Sequence, residues 1–389
     1  MKLESKLPGV GTTIFTVMSQ LAVEHNAINL GQGFPDFDPD PALVDAVTTA
    51  MKEGHNQYPP MPGIPLLRQN ISEKVSQLYG HRYNPDTEIT VTAGASEALM
   101  VSILALVHPG DEVIIIEPFY DLYIPILNLA GAIPVIVPMD APKNPDETYR
   151  IDWNRVREAI TSNTRALILN FPHNPTGINL DTSDLDALEA IVNDSGVLLI
   201  SDEVYEHIVF DGKEHQSLSR RPQLAEHTVV ISSFGKTYHV TGWKIGYCCA
   251  PAAIMSEIRK VHQFNVFTVT SPMQYALARY MQDPRHHLEL TSFYEQKRDY
   301  LFNALQKTKF KPVKSAGSFF LLANYREISD MKEAEFAKWL TREHGVVVIP
   351  MSAFYEHPDS AEANNALVRF CFAKKEQTLN AAVDRLMSL

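Results

Sequence analysis

The chain has 389 residues, 45% of them hydrophobic, and a formal net charge of −12 from 34 Lys and Arg against 46 Asp and Glu. A chain of this length can form two or three domains and bury a large core without disulfides or metals. The acidic balance disfavours nucleic acid and anionic membranes as partners.

Cysteine content and the absence of apolar segments predict a cytoplasmic protein. Only Cys248, Cys249 and Cys371 occur, without a Cys-x-x-Cys spacing, which favours a reducing compartment. The first residues, MKLESKLPGVGTT, lack the apolar stretch of a secretory signal. The longest apolar runs, such as residues 98–107, are far shorter than the roughly 20 residues of a membrane-spanning helix.

The middle of the chain alternates short apolar runs with helical patterns. In chain order, the patterns predict a strand over 88–95 that runs into a turn, a helix over 96–107, strands over 111–118, 132–139 and 164–172, a helix over 184–196, and strands over 197–205 and 227–234. Continuous apolar strands between helices are typical of a buried, mostly parallel sheet. In such α/β sheets, ligands bind beyond the carboxyl ends of the strands.

The C-terminal part differs, with strands predicted over 319–325 and 366–373 between amphipathic helices. We therefore expect a smaller α+β domain over residues 285–389. Residues 1–40 show little regular pattern, and we expect them to pack with this small domain. Residues 41–284 would then form the large domain.

Polar residues cluster where the predicted parallel strands end. Asp202 and Tyr205 follow one strand, Asn174 follows another, and Ser233 and Lys236 follow a third. The turn at 94–96 leads from a strand into a helix. These residue types are poor choices for packing and good choices for contacts with a cofactor.

Several segments resemble those of the class I aminotransferases of fold type I, above all the kynurenine/glutamine-type and methionine aminotransferases. They are INLGQGFPDF (28–37), NFPHNPTG (170–177), SDEVYEH (201–207), SSFGKTYHVTGWKIGY (232–247) and VRFCFAK (368–374). Their shared order along nearly the whole chain makes the resemblance specific. It implies a seven-stranded, mostly parallel sheet between helices, pyridoxal phosphate as cofactor, and a homodimer with shared active sites.

The resemblance implies that Lys236 is catalytic and holds the cofactor as a Schiff base. Such a lysine must be neutral part of the time, so its pKa has to fall from about 10.4. The alternative interpretation is an exposed loop lysine.

Asp202 would face the pyridine nitrogen and keep it protonated, unless it is a helix cap or a solvated carboxylate. Asp202, Glu203 and His207 match no metal-ligand spacing, so we expect no metal.

Further cofactor contacts are implied by the same motifs. Tyr205 and Asn174 would hydrogen-bond the phenolic oxygen, although the Asn-Pro dipeptide also favours a turn. Tyr120 would stack on the ring, with Phe119 and Tyr123 as rivals for that role and ordinary core packing as the alternative. The phosphate contacts would be Gly94, Ala95, Ser96, Ser233, Lys244 and, from the neighbouring subunit, Tyr58. Ser96 could instead be a helix N-cap.

The resemblance also implies substrate contacts. Arg369 would bind the substrate α-carboxylate in a bidentate manner, and Gly33 would contact the same group through its backbone. Phe15, Phe34, Tyr120 and, from the partner subunit, Phe267 would line an apolar pocket for the substrate side chain. No second arginine stands in the region where dicarboxylate-specific relatives carry one.

We therefore expect an aminotransferase that moves the amino group of an apolar or aromatic L-amino acid, methionine first, to a 2-oxo acid by a ping-pong mechanism. Phenylalanine, tyrosine and kynurenine-like donors are also expected. The alternative is a β-lyase acting on cystathionine or cysteine conjugates with the same cofactor and fold. A non-catalytic pyridoxal phosphate sensor and a nucleotide-binding enzyme are disfavoured, since no basic DNA-binding arm and no phosphate-loop motif occur.

Overall fold

The computed structural model describes residues 3–144 and 147–389. Residues 1–2 and 145–146, which fall in the predicted N-terminal segment and large domain, lie outside the described residues. The strands are β1 (Ile28–Asn29), β2 (Ile89–Thr92), β3 (Glu112–Glu117), β4 (Ile133–Pro138), β5 (Thr164–Asn170), β6 (Leu198–Asp202), β7 (Thr228–Ser233), β8 (Gly246–Cys249), β9 (Lys311–Val313), β10 (Phe320–Asn324), β11 (Val346–Val347), β12 (Ile349–Pro350) and β13 (Leu367–Cys371).

The helices lie between these strands and at the two ends of the chain. They are α1 (Ile14–Glu24), α2 (Pro41–Lys52), α3 (Pro65–Tyr79), α4 (Gly94–Leu106), α5 (Tyr123–Ala130), α6 (Trp153–Glu158), α7 (Thr182–Ser195), α8 (Pro222–Ala225), α9 (Phe234–Thr237), α10 (Ala252–Asn265), α11 (Ser271–Tyr280), α12 (Arg285–Leu288), α13 (Leu290–Leu305), α14 (Glu333–His344) and α15 (Glu376–Leu386).

The large sheet has seven strands in the order β2-β8-β7-β6-β5-β3-β4. All neighbouring strands pair in parallel except β8, which is antiparallel to both β2 and β7. The central strands are buried along most of their length, with apolar clusters packed on both faces. The predicted mostly parallel sheet between helices is confirmed.

Several details of the strand prediction are wrong. Strand β5 stops at Asn170 and β6 stops at Asp202, earlier than residues 172 and 205. After β6 the chain turns, with Glu206 N donating to Glu203 O at 2.9 Å and Ile208 N donating to Tyr205 O at 2.8 Å. Strand β8 was not predicted, since GYCC lacks the β-branched residues that signal a strand.

A second sheet is formed by the C-terminal residues, with four antiparallel strands in the order β12-β13-β10-β9. Strand β1 pairs in parallel with β11, and α1 packs on α14. The N-terminal segment therefore contacts the C-terminal one, while the domain boundaries at residues 40 and 285 stay a prediction. Among the described residues, no helix is long and apolar enough to cross a bilayer.

Candidate active site

A cavity of about 300 Å³ opens at the carboxyl ends of β5, β6 and β7. Most of the residues predicted from the sequence as cofactor or substrate contacts line it. They are Phe15, Gly33, Phe34, Gly94, Ala95, Ser96, Tyr120, Asn174, Asp202, Tyr205, Ser233, Lys236, Lys244 and Arg369. The strand-end rule of parallel sheets accounts for the central ones, and the N- and C-terminal segments bring in the others.

Lys236 lies in the short helix α9, directly after β7. Its Nζ donates a 3.0 Å hydrogen bond to the carbonyl oxygen of Gly33 and lies 5.6 Å from the ring centroid of Tyr205 and 5.2 Å from that of Phe319. Burial lowers the pKa of Lys236 to about 8, and the charge of Arg369 acts in the same direction. The alternative of an exposed loop lysine does not fit this environment.

Asp202 ends β6 and is 5% exposed, so it is neither a solvated carboxylate nor a surface cap. Its Oδ2 accepts a 2.8 Å hydrogen bond from the hydroxyl of Tyr123. Burial raises the pKa of Asp202 to about 6, whereas the Tyr123 hydrogen bond and the charge of Lys236 oppose this rise. At neutral pH the carboxyl group is therefore mainly ionised.

The N-terminus of α4 faces the cavity through Gly94, Ala95 and Ser96. The N-cap is Ala93, without a side-chain cap, so Ser96 lies within the first turn and is not the N-cap. A Cβ atom added to Gly94 would lie 3.5 Å from Nζ of Lys244. Unpaired backbone N–H groups, the helix dipole and an ammonium group together make this end of the cavity suited to an anion.

Arg369, in β13, is 1% exposed and also lines the cavity. One Nη donates to Asn174 Oδ1 and the other to Gly31 O at 3.0 Å. The guanidinium carbon lies 3.8 Å from the ring centroid of Phe320 and 4.7 Å from that of Phe354. Burial lowers the pKa of Arg369 to about 10, which leaves it charged at neutral pH.

This buried cation lacks an anionic partner. Among residues 3–144 and 147–389, the two Nη atoms of Arg369 donate to an amide oxygen and a backbone carbonyl rather than to a carboxylate, and its Nε has no hydrogen-bond partner. Buried charges are costly unless paired. Arg369 is therefore set up to bind a carboxylate that enters the cavity.

The structure does not bring Tyr58 and Phe267 into this cavity. Tyr58 is 84% exposed and contacts Phe267 edge-on, with ring centroids 5.5 Å apart. Both residues lie on the surface of this chain, and their role in the site of a neighbouring subunit stays a prediction.

Sequence reasoning missed several residues of the site. Tyr123 was considered only as a rival for ring stacking, but its hydroxyl binds Asp202. Asn170 links two predicted residues, because its side chain donates to Asp202 O at 2.9 Å and accepts from Asn174 N at 3.0 Å. A polar residue ending an apolar strand was the available signal for Asn170. Phe320 carried no such signal.

Glu203 and His207 were considered as metal ligands. Glu203 instead binds His215 at 2.8 Å. His207 Nε2 is buried, lies 3.8 Å from Glu206 Oε1 and has no hydrogen-bond partner among the described residues. In the described part of the chain, no three His, Cys, Asp or Glu side chains are grouped as a metal site.

Comparison with known proteins decides the family. Residues 25–386 match the family model "Aminotransferase class I and II". The chain belongs to the class I and II aminotransferases.

A methionine aminotransferase of Escherichia coli (strain K12) is 48% identical over 387 residues, covering 99% of this chain and 98% of that protein. A probable N-succinyldiaminopimelate aminotransferase of Mycobacterium tuberculosis is 40% identical over 393 residues, covering 99% and 98%.

A solved structure is similarly close to this aminotransferase. It is a crystal structure from Escherichia coli that identifies a methionine aminotransferase function, with a TM-score of 0.96 and 47% identity over 100% of both chains. The fold type I resemblance found in the sequence is confirmed.

The electrostatics of the site predict how Lys236 titrates in this aminotransferase. Reductive methylation of the cofactor-free protein, followed by peptide mass spectrometry, should show half-maximal reactivity of Lys236 near pH 8 rather than at the usual value of about 10.4. Asp202→Asn removes a negative charge that favours the ammonium form, so the midpoint should fall. Arg369→Met removes a positive charge, so it should rise. A wild-type midpoint near 10, or shifts of both variants in one direction, would contradict this account.

Proposed function

We propose that this aminotransferase uses pyridoxal phosphate and moves the amino group of apolar or aromatic L-amino acids, methionine foremost, to 2-oxo acids. The observation that carries the proposal is a buried guanidinium without a carboxylate, in the same cavity as a lysine whose pKa is lowered to about 8. An α-amino acid offers the missing carboxylate to Arg369 and brings its α-carbon close to the reactive amine.

The residues around the cavity fit pyridoxal phosphate in charge and in side-chain chemistry. The anion-binding end at α4 suits a phosphate, the buried carboxylate of Asp202 suits a protonated ring nitrogen, and Tyr120 offers an aromatic face. Groups assigned to hold the phosphate are Gly94, Ala95, Ser96, Ser233 and Lys244, with Tyr58 of a neighbouring copy. When bound, the cofactor supplies an aldehyde that condenses with amines and a ring that takes up electrons from a substrate carbon.

The chain's own residues then have distinct tasks. Lys236, with an amine that is neutral part of the time at neutral pH, binds the cofactor and moves a proton at its Nζ. Asp202, whose ionised form is favoured by the Tyr123 hydrogen bond, would hold a proton on the ring nitrogen of the bound cofactor. Tyr205 and Asn174 orient the ring through hydrogen bonds. Arg369 fixes the substrate carboxylate, which orients the reacting carbon.

The lining of the cavity supports an apolar donor. Phe15, Phe34, Leu99, Leu122 and Phe320 contribute apolar surface. Among the described residues that line it, Arg369 is the only arginine. The side-chain carboxylate of an aspartate substrate would lose its hydration on entering the cavity without gaining a second cationic partner. Such uncompensated desolvation of a charge costs free energy. The 48% identity to a methionine aminotransferase supports methionine as the first donor to test.

A panel of the twenty amino acids with several 2-oxo acids tests this function. Methionine, phenylalanine and tyrosine should have kcat/KM values at least about tenfold above that of aspartate. Arg369→Lys should raise KM for all donors together, because the lost bidentate contact is common to them. Aspartate as the best donor would overturn the substrate assignment. Pyruvate release from cystathionine without any amino transfer would favour the β-lyase alternative.

We also propose that the active enzyme is a homodimer whose sites are completed across the interface. Tyr58 and Phe267 form an exposed aromatic pair, with Tyr58 84% and Phe267 43% exposed. Exposed aromatic patches of this kind mark protein interfaces. A second copy of this chain is the occupant that the family resemblance implies.

Complementation between inactive variants tests the shared site. Lys236→Ala and Tyr58→Ala subunits, unfolded and refolded together, should recover up to about a quarter of wild-type activity, because mixed dimers contain one intact site. Mixing Lys236→Ala with Asp202→Ala is the matched control, and it should recover nothing because both residues belong to one subunit's site. Equal recovery in the two mixtures, or a monomer of full activity, would refute the proposal.

We further propose a cytoplasmic location. The three cysteines are buried and free, which suits a reducing compartment. Formation of a disulfide in the protein isolated from cells without reductant would argue against this location.

A further inference from the structure

An irregular segment, residues 31–37 between β1 and α2, covers the active-site cavity. It carries Gly33, whose carbonyl accepts a hydrogen bond from Lys236, and Phe34. Phe34 is 43% exposed and also borders a second cavity of about 460 Å³. Apolar packing around Phe34 is therefore incomplete, and other contacts must hold the segment in place.

The carboxylate of Asp36 provides such contacts. Its Oδ1 accepts a hydrogen bond from the backbone N–H of Lys375, and its Oδ2 accepts one from Thr378 Oγ1 at 2.5 Å. Lys375 is the N-cap residue of α15 and has no side-chain cap of its own. Asp36 thus caps α15 from the other end of the chain, where a negative charge also matches the helix dipole.

The residues on either side of Asp36 are held as well. Lys374 is 2% exposed, and its Nζ donates to the carbonyl of Phe34 at 2.8 Å and lies 4.7 Å from its ring centroid. Phe37 packs edge-on against His239 and Phe293, with ring centroids 4.8 and 5.4 Å apart. The segment is therefore attached to the C-terminal residues by the polar contacts of Asp36 and Lys374 and by the packing of Phe37 on Phe293.

These contacts connect two parts of the chain that are proposed to bind the amino acid: strand β13 and segment 31–37. Lys374 and Lys375 directly follow β13, which carries Arg369, and α15 begins at Glu376. The segment carries Gly33 and Phe34. Asp36 does not line the cavity itself, so any effect it has on binding must act through these neighbours.

We propose that Asp36 is a positioning residue: by capping α15 it holds segment 31–37 over the cavity and thereby sets the affinity for the amino acid. This inference rests on the proposed aminotransferase function. Loss of the cap leaves the segment in its binding-competent position for only a fraction of the time, which weakens apparent binding by that fraction. Because Asp36 does not line the cavity, we expect its loss to weaken binding more than turnover of the bound substrate.

The test is steady-state kinetics of Asp36→Ala with methionine as donor. KM should rise about tenfold with kcat within about twofold of wild type, since uniform binding is lost. Asp36→Asn keeps an acceptor for Lys375 N–H and should restore most of the affinity.

Adding Thr378→Val to Asp36→Ala should have little further effect, because the two residues act through one contact. Asp38→Ala is the control, since Asp38 makes no side-chain hydrogen bond with any described residue.

Limited proteolysis of the cofactor-free proteins reports on the segment without relying on catalysis. Asp36→Ala should be cleaved within residues 31–38 faster than wild type and Asp38→Ala. An unchanged KM with unchanged cleavage, a loss confined to kcat, or additive effects of Asp36→Ala and Thr378→Val would overturn the proposal. Absence of amino transfer by the wild-type protein, with faster cleavage of Asp36→Ala, would instead reject the proposed function and retain the attachment. Thr378→Val alone, with an intermediate KM, serves if Asp36→Ala does not fold.

Discussion

Two cationic side chains, the buried Arg369 and the partly buried Lys236, line one cavity without a carboxylate bonded to either of them. Among the described residues, neither Lys236 nor Arg369 forms a salt bridge. Desolvation acts on both, but an arginine pKa of about 10 leaves the guanidinium charged, while a lysine pKa of about 8 leaves part of the amine neutral. The cavity therefore contains a permanent positive charge at Arg369 and a nucleophilic amine at Lys236. This pair suits an α-amino acid, in which the carboxylate and the amine share one carbon.

The rest of the fold supports this arrangement. The parallel strands β6 and β7 end next to each other, which brings Asp202 and Lys236 to one edge of the sheet. Tyr123 opposes the rise in the pKa of Asp202 that burial causes. Helix α4 points its N-terminus into the other end of the cavity, and β13 inserts Arg369 from the second sheet. The site therefore depends on the seven-stranded sheet, on the four-stranded sheet and on the N-terminal segment that covers the cavity.

The sequence predicted the large sheet and the residues at its strand ends because both follow local rules. Short apolar strands signal the sheet, and polar residues directly after them, such as Asp202, signal the ligand site. Tyr123 could not be separated from Tyr120 by sequence, since only the start of α5 decides which hydroxyl points towards Asp202. Strand β8 escaped prediction because its four residues have weak strand character.

Long-range contacts were beyond sequence reasoning for a different reason. The hydrogen bond from Lys375 to Asp36 joins residues 339 positions apart, and no periodicity or spacing marks such a pair. The same holds for Arg369 and Asn174, 195 positions apart, whose meeting required the family resemblance or the structure. For Tyr58 and Phe267, the described chain shows an exposed pair, and their function depends on a second copy.

The most direct test of the central claim is chemical identification of the amine that holds the cofactor. The protein is incubated with pyridoxal phosphate, reduced with borohydride, digested and examined by mass spectrometry. The account predicts one modified peptide, labelled at Lys236, with the label lost in Lys236→Ala and reduced in Asp202→Ala. A label on another lysine in the native protein, or no label at all, would contradict it.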